Sequence, residues 1–247
     1  MDRLLEATYR VEQQHFWWKG LRSFVRPLLA DAAAGRQRVR LLDCGCGTGA
    51  LLIMLGEFGD ASGFDVSFRG LEFAQRYGQR RVAQASITDI PFADAVFDVV
   101  TAFDVLYSLS EEAEAAALRE MRRVLKPGGT LIVNVAALRI LRGNHAVFGA
   151  EVRRSTRRRL RRLLGDAGFR VTRLTYSNAF LFPLMLTVRT GQRLMGLATP
   201  EEAGTDVVMP PATVNSVLTW LLRAEARVLR VVDMPIGSSL LCVARKD

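Results

Sequence analysis

Asp43 and Asp65 flank the stretch of this chain best suited to chemistry, Gly45-Cys46-Gly47-Thr48-Gly49. A glycine-rich turn lets a ligand reach main-chain N–H groups, because no Cβ stands in the way. Asp65 lies twenty residues beyond Gly45, and an acidic side chain at that spacing suits the two hydroxyls of a ribose. The chain has two histidines, His15 and His145. His145, in the segment 136–151, is the first candidate for a general base. His15 stands beside Phe16, Trp17 and Trp18 and suits a lid or a ligand-ordering role as well as a base. Tyr107 and Tyr176 are weaker candidates. Cys44, Cys46 and Cys242 have no His or Cys partner at zinc-ligand spacing, so no metal site is expected.

The glycine stretch needs a strand before it and a helix after it. Val39, Leu41 and Leu42 form an apolar run of strand length that Asp43 closes, and 50–55 reads as the first turns of a helix. A second strand is predicted over 61–64, with Asp65 at its end. Ser67 caps a helix over 68–77. Third and fourth strands are predicted over 82–86 and 97–103, the latter apolar enough to be buried on both faces. Ser110 caps a helix over 111–125, Lys126-Pro127-Gly128-Gly129 stops it, and a fifth strand follows over 130–135. Strands alternating with helices predict an α/β fold with a doubly wound parallel sheet.

The flanks are predicted to be helical. Residues 4–29 have helical period, with Pro27 near a break between helices, and 31–38 form a linker. The aromatic cluster at 16–18 is either core packing or a lid over a ligand. Ser155 caps a helix over 156–167, ended by Gly168, and 152–163 holds seven arginines. A sixth strand is expected over 169–176 and a last one over 238–245. The 58 or so residues between them, with helices near 182–197 and 212–232, are long for a loop and read as a functional cover. The expected units are thus a lid over 1–37, a core over 38–177, an insertion over 178–235 and the last strand over 236–247.

Composition sets bounds on this reading. At 247 residues and 49% hydrophobic, the chain suits one core with added helices. Mean hydropathy is +0.13. The net charge of +9 comes nearly all from arginine, since only Lys19, Lys126 and Lys246 are lysines. That balance favours anionic partners or is a solvated basic face. An odd cysteine count without a framework points to a reducing compartment. The charged N-terminal stretch is unlike a secretory signal, and the longest apolar run, 179–188, is about half a membrane span. A cytoplasmic protein able to touch a membrane surface is expected.

LLDCGCGTG, the GFDVS at 63–67, DIPFADAVFDVV at 89–100 and EMRRVLKPGG at 120–129 together resemble class I S-adenosylmethionine-dependent methyltransferases of the type 11 group. The resemblance implies a seven-stranded, Rossmann-like sheet and S-adenosylmethionine as cofactor. The flanks resemble one subgroup through Glu12, His15, Phe16, Trp17, Trp18 and Arg22, through 153–157 and 178–183, and through the ending 235–241.

That resemblance implies a set of cofactor residues. Gly45 and Gly47, with Cys46 between them, pass the methionine part along their main chain, and Asp43 orients the loop. Asp65, with Val66 beside it, holds the ribose. Ser86 and the main chain of Ile87 meet the adenine edge. Phe103 lines the methionine side, Trp17 or Trp18 can face the sulfonium through cation–π attraction, and Arg22 completes the set. The catalytic candidates are His145, His15 and Tyr107.

Departures from the family are also visible. Ser86 replaces a frequent Asp, and Tyr107-Ser108 replaces a frequent Glu-His. Glu151 and Ser155 stand where the subgroup has His and Tyr. The expected activity is O- or N-methylation of a small-molecule or lipid-like acceptor. Nucleic-acid methylation and a non-catalytic cofactor binder are the alternatives. Peripheral membrane contact and a homodimer are the expected associations. The apolar segments 180–186 and 217–222 suit an acceptor tunnel, a subunit interface or plain packing.

Overall fold

The computed structural model describes residues 2–141, 151–195 and 207–247. Seven strands form one sheet: β1 (Arg40–Cys44), β2 (Asp60–Asp65), β3 (Val82–Gln84), β4 (Phe97–Phe103), β5 (Leu125–Ala136), β6 (Phe169–Ser177) and β7 (Ser239–Lys246). Their order is β3-β2-β1-β4-β5-β7-β6. The first five pair in parallel, and β7 runs antiparallel between β5 and β6. Strand order therefore reverses between β1 and β4. In open α/β sheets ligands bind beyond the carboxyl ends of the strands at such a point. This is the α/β fold expected of class I methyltransferases.

β4 is central because all seven of its residues are buried. Leu41, Leu42, Val99 and Val100 are fully enclosed, each worth about 1.5–3 kcal/mol of apolar burial. Helices α1 (Asp2–Val11), α2 (Phe16–Ala33), α3 (Ala50–Leu55), α4 (Phe68–Arg76) and α5 (Glu111–Val124) come before β5. They are followed by α6 (Arg157–Asp166), α7 (Phe182–Leu194) and α8 (Ala212–Val228). Ser67 and Ser110 cap α4 and α5 as expected, each accepting from a main-chain N–H three residues on.

Several local expectations needed correction. Lys126-Pro127-Gly128-Gly129 does not separate helix from strand. Leu125 already pairs with Phe97, and pairing resumes at Thr130 with Val99, so the four residues arch out of the ladder. Asp98 holds the arch: it accepts from Lys126 Nζ at 2.9 Å, Arg36 Nη1 at 3.0 Å and Arg40 N at 2.9 Å. The N-terminal break falls not near Pro27, which lies inside α2, but between Val11 and Phe16. There Arg22 Nη2 donates to the carbonyls of Glu12 and Gln13. Thr156, not Ser155, caps α6 through Arg159 N, because Ser155 is held by main-chain bonding to β5. No helix stands between β3 and β4, where Ser86 and Thr88 close a turn instead.

The arginine run is largely spent on the fold. Arg153 pairs with Glu111 at 3.0 Å, Arg154 with Glu151 at 2.7 Å and Arg162 with Asp166 at 3.5 Å. Arg159 grips the buried Glu114 of α5 with both terminal nitrogens. Arg157 donates to the Met234 carbonyl and lies over the Tyr176 ring, 4.6 Å from its centre.

Candidate active site

The glycine turn leaves β1 with positive φ at Gly45, Gly47 and Gly49. The main-chain N–H groups of Gly45 and Cys46 both donate to the Phe64 carbonyl at 2.9 Å, which pins the turn to β2. A Cβ on Gly45 would stand 2.4 Å from Val105 Cγ2, so the residues after β4 press directly against the turn. Asp65 braces it from the other side. One carboxylate oxygen accepts from Gly47 N and the other from Ser67 N, both at 2.8 Å. A carboxylate has about four acceptor positions, so Asp65 retains acceptor capacity. Asp43 is tied to β4 rather than to the turn: its Oδ1 accepts from Thr101 Oγ1 at 2.7 Å. Cys46 packs its side chain with Leu52 and Leu71, and only its main chain is left for a ligand. Val66 and Phe103 stand at the ends of β2 and β4, exposed and buried respectively. Ser86 Oγ bonds Thr88, and no described partner takes the Ile87 N–H.

Burial raises the Asp43 carboxyl, the Thr101 bond opposes it and the Asp65 charge adds to it, which leaves it pushed up to about 7. Between its ordinary value of 3.8 and about 7 the folded chain holds this proton while the unfolded chain has lost it. Stability therefore falls as pH rises through that window and levels off above it. An Asp43→Asn chain should lose less melting temperature than wild type between about pH 5 and about pH 8. Equal losses would mean that Asp43 is not the source.

Helices α1 and α2 cover the turn. Leu5 lies over Gly47 and beside Gly70. Tyr9 stacks on Phe73 at 4.4 Å. Glu12 is buried and accepts from Thr48 Oγ1 at 2.7 Å. Burial raises its pKa against the opposing Thr48 and Tyr77 bonds and the Arg22 charge. Three buried polar atoms here make no close hydrogen bond among the described residues: Glu12 Oε1, Gln13 Nε2 and Arg22 Nη1, with the Tyr77 hydroxyl facing the Glu12 and Gln13 side chains. Sequence reasoning found Arg22 but gave no site role to Glu12 and did not find Gln13. Glu12 was visible only as part of the flanking motif.

His15 is held as a clamp. It caps α2, with Nδ1 accepting from Trp17 N at 3.2 Å, and it bonds the Val208 main chain. It is stacked on Phe16 and set edge-on to Trp18, and burial lowers its pKa. Both ring nitrogens are thus engaged. The cover extends to the insertion: Asn215 of α8 accepts from Phe16 N at 2.8 Å and donates to the Gln14 carbonyl at 2.9 Å. Gly20 of α2 meets Leu222 of α8 so closely that a Cβ would stand 2.4 Å from Leu222 Cδ1. His145 lies outside the described residues. Tyr107 is half-buried beyond β4. Burial, then the nearby Asp104 and Glu151 charges, raise its hydroxyl far above the usual range. Among the described residues no cluster could hold a metal ion.

A family model described as a methyltransferase domain matches residues 42–133, which run from β1 into β5. Residues 42–133 thus match a methyltransferase domain. Over 103 residues it is 35% identical to O-methyltransferase rstn1 of Aspergillus nomiae, covering 38% of this chain and 45% of that protein. Over 114 residues it is 33% identical to the ubiquinone/menaquinone biosynthesis C-methyltransferase UbiE of Proteus mirabilis, covering 42% and 45%. The chain thus spans less than half the length of these curated relatives, and the match lies in the methyltransferase domain. Among solved structures, the [4+2]-cyclase SpnF is similar at TM-score 0.59 and 25% identity, over 91% of this chain and 80% of that one. A SAM-dependent methyltransferase from Archaeoglobus fulgidus shares the fold at TM-score 0.60 and 17% identity, over 92% and 94%. No helix among the described residues is long and apolar enough to cross a membrane.

Proposed function

We propose that this chain transfers a methyl group from S-adenosylmethionine to the oxygen or nitrogen of a small, apolar acceptor. The observation that carries this reading is the trio without close hydrogen bonds over the glycine turn. A free amino acid end carries an ammonium and a carboxylate. Glu12 Oε1 is an acceptor suited to the first, and Arg22 Nη1 and Gln13 Nε2 are donors suited to the second. The rest of the cradle fits the remaining cofactor. Asp65 has acceptor capacity for ribose hydroxyls, Val66 presents an apolar surface beside it, and Ser86 with the Ile87 N–H matches an adenine edge. The main chain of Gly45, Cys46 and Gly47, with Phe103 and Trp18, lines the methionine side, and Asp43 braces β1 against β4.

When bound, S-adenosylmethionine supplies an electrophilic methyl group on a sulfonium. The protein then has to hold the acceptor in line and keep water out. Residues 1–37 and 178–235 act together as the cover that does so, since His15, Asn215 and Gly20 join them. Val208, Met209, Val214, Val217 and Trp220 are exposed on the insertion beside this cover, which supports an apolar, lipid-like acceptor over a nucleic acid. Arg223 and Arg227 lie along the same helix, and this is the face through which a cytoplasmic protein would touch an anionic membrane or a second copy of itself.

The test is calorimetric titration with S-adenosylmethionine, followed by transfer of its labelled methyl group to lipid, small-molecule and RNA fractions. Wild type should bind in the micromolar range, and an Asp65→Ala chain should lose at least about tenfold, the equivalent of one hydrogen bond. Label should enter the small-molecule or lipid fraction. Label in RNA, or binding with no transfer to any fraction, would overturn the acceptor reading. No binding would overturn the cofactor reading as well.

A further inference from the structure

Asp104 follows β4 directly and adopts φ 56, a conformation rare for a residue other than glycine. It is fastened twice to β5: its main-chain N–H donates to the Asn134 carbonyl at 2.9 Å, and its Oδ1 accepts from Asn134 Nδ2 at 3.0 Å. The next residue, Val105, is the one whose side chain presses on Gly45. The carboxyl group therefore stands beyond the end of β4, one residue from the cofactor turn, on the side away from Asp65. Oδ2 takes no hydrogen bond among the described residues. The turn itself does not need a charge, since Asn adopts the same left-handed backbone.

Resting on the methyl-transfer reading, we propose that Asp104 is the catalytic base of this site and that the acceptor carries a mildly acidic hydroxyl, a phenol or an enol. The acceptor O–H bond breaks toward Asp104 Oδ2 as the O–CH3 bond forms in line. The S–CH3 bond breaks with its electron pair left on sulfur, which becomes a neutral thioether. Asp104 later returns the proton to water.

The surroundings of Asp104 suit that work. Asn134 of β5, Tyr107 of the turn after β4, and the Arg154–Glu151 pair before α6 are the polar groups facing it from the described elements. Burial raises its carboxyl, the Asn134 bond and the Arg154 charge oppose this, and the Glu151 charge adds to it, leaving it pushed up to about 7. A base of that strength is half ionised near neutrality and well matched to a phenol, which ionises near about 10. It is poorly matched to an aliphatic alcohol. Methylated phenols and enols are apolar, in keeping with the exposed apolar side chains of the insertion.

The deciding experiment measures methyl transfer from labelled S-adenosylmethionine to 4-cresol, 2-naphthol and 4-nitrophenol, with wild type and Asp104→Asn compared across pH. Asn keeps both the backbone conformation and the Asn134 bond, and a melting curve checks that the variant is folded. Cofactor binding, followed by calorimetry, should be unchanged. For wild type, kcat/KM should rise with pH through a midpoint near 7. The variant should lose about 10²–10⁴-fold on 4-cresol. It should lose far less on 4-nitrophenol, whose hydroxyl ionises without help, and its pH profile should follow the phenol's own ionisation. Equal losses on all three phenols, an unchanged profile, or no methylation of any phenol by protein that binds cofactor would overturn the assignment. Loss of cofactor binding by wild type would instead sink the methyl-transfer reading on which it rests.

Discussion

An Arg22→Ala chain binds S-adenosylmethionine about a hundredfold more weakly than wild type. The expectation comes from what Arg22 does twice. Its Nη2 closes the turn between α1 and α2 on the carbonyls of Glu12 and Gln13, and its Nη1 is buried without a partner. A hydrogen bond from a charged donor to a carboxylate is worth about 1.5–3 kcal/mol, or roughly ten- to more than a hundredfold in affinity. Removing the guanidinium also withdraws the charge that opposes the burial of Glu12, so the upper end applies. Decarboxylated S-adenosylmethionine separates this account from general damage. Wild type should bind that analogue much more weakly than the parent, while Arg22→Ala should bind the two alike. A variant that still prefers the parent as strongly as wild type does would show that Arg22 does not read the carboxylate.

The second large effect concerns stability. Glu225 of α8 is fully buried and accepts from the main-chain N–H groups of Ala179 and Phe180, both at 2.9 Å, and from that of Asn178. Asn178 itself adopts φ 60, so the carboxylate gathers the amides of a tight bend where β6 turns toward α7. Glu225→Ala strands these donors away from water. Each unsatisfied group costs about 1–3 kcal/mol, so a loss of roughly 3–9 kcal/mol is expected for the three. For a chain of this size that is about 10 °C or more in melting temperature. Glu225→Gln, which keeps one acceptor oxygen, should fall between Ala and wild type. Two variants melting within a degree or so of wild type would show that water replaces the carboxylate and that the bend is not held this way.

These two residues mark where the sequence stops being readable. The glycine turn, β4 and the caps at Ser67 and Ser110 were legible because each depends on neighbours a few places away. The Asp98 cluster was not, since it draws together Arg36, Arg40 and Lys126, and so the helix stop expected at 126–129 became an arch within β5. Ser155 resembled a cap as well as Thr156 does, and only main-chain bonding to β5 decides between them. His15 has the chemistry of a base but is engaged by partners two and roughly two hundred residues away. Glu12 and Glu225 are set by burial and by partners distant in sequence, which no spacing rule reveals. The arginine run adds to a charge that favours anionic partners, but Glu111 and Glu114 of α5, Glu151 and Asp166 pair with four of its seven members.

Asn215 bonds to Phe16 and Gln14 across about two hundred residues of chain. On the ribosome, β1 to β5 and the glycine turn emerge long before α8 exists. During synthesis the parallel part of the sheet, β1 to β5, can pair early, while α1 and α2 wait for their last partner. The α1–α2 cover over the glycine turn is therefore latched only once α8 has emerged, just before β7 fills the place between β5 and β6. A chain released before α8 is made would lack β7 as well, leaving β5 and β6 unjoined and the cover unlatched.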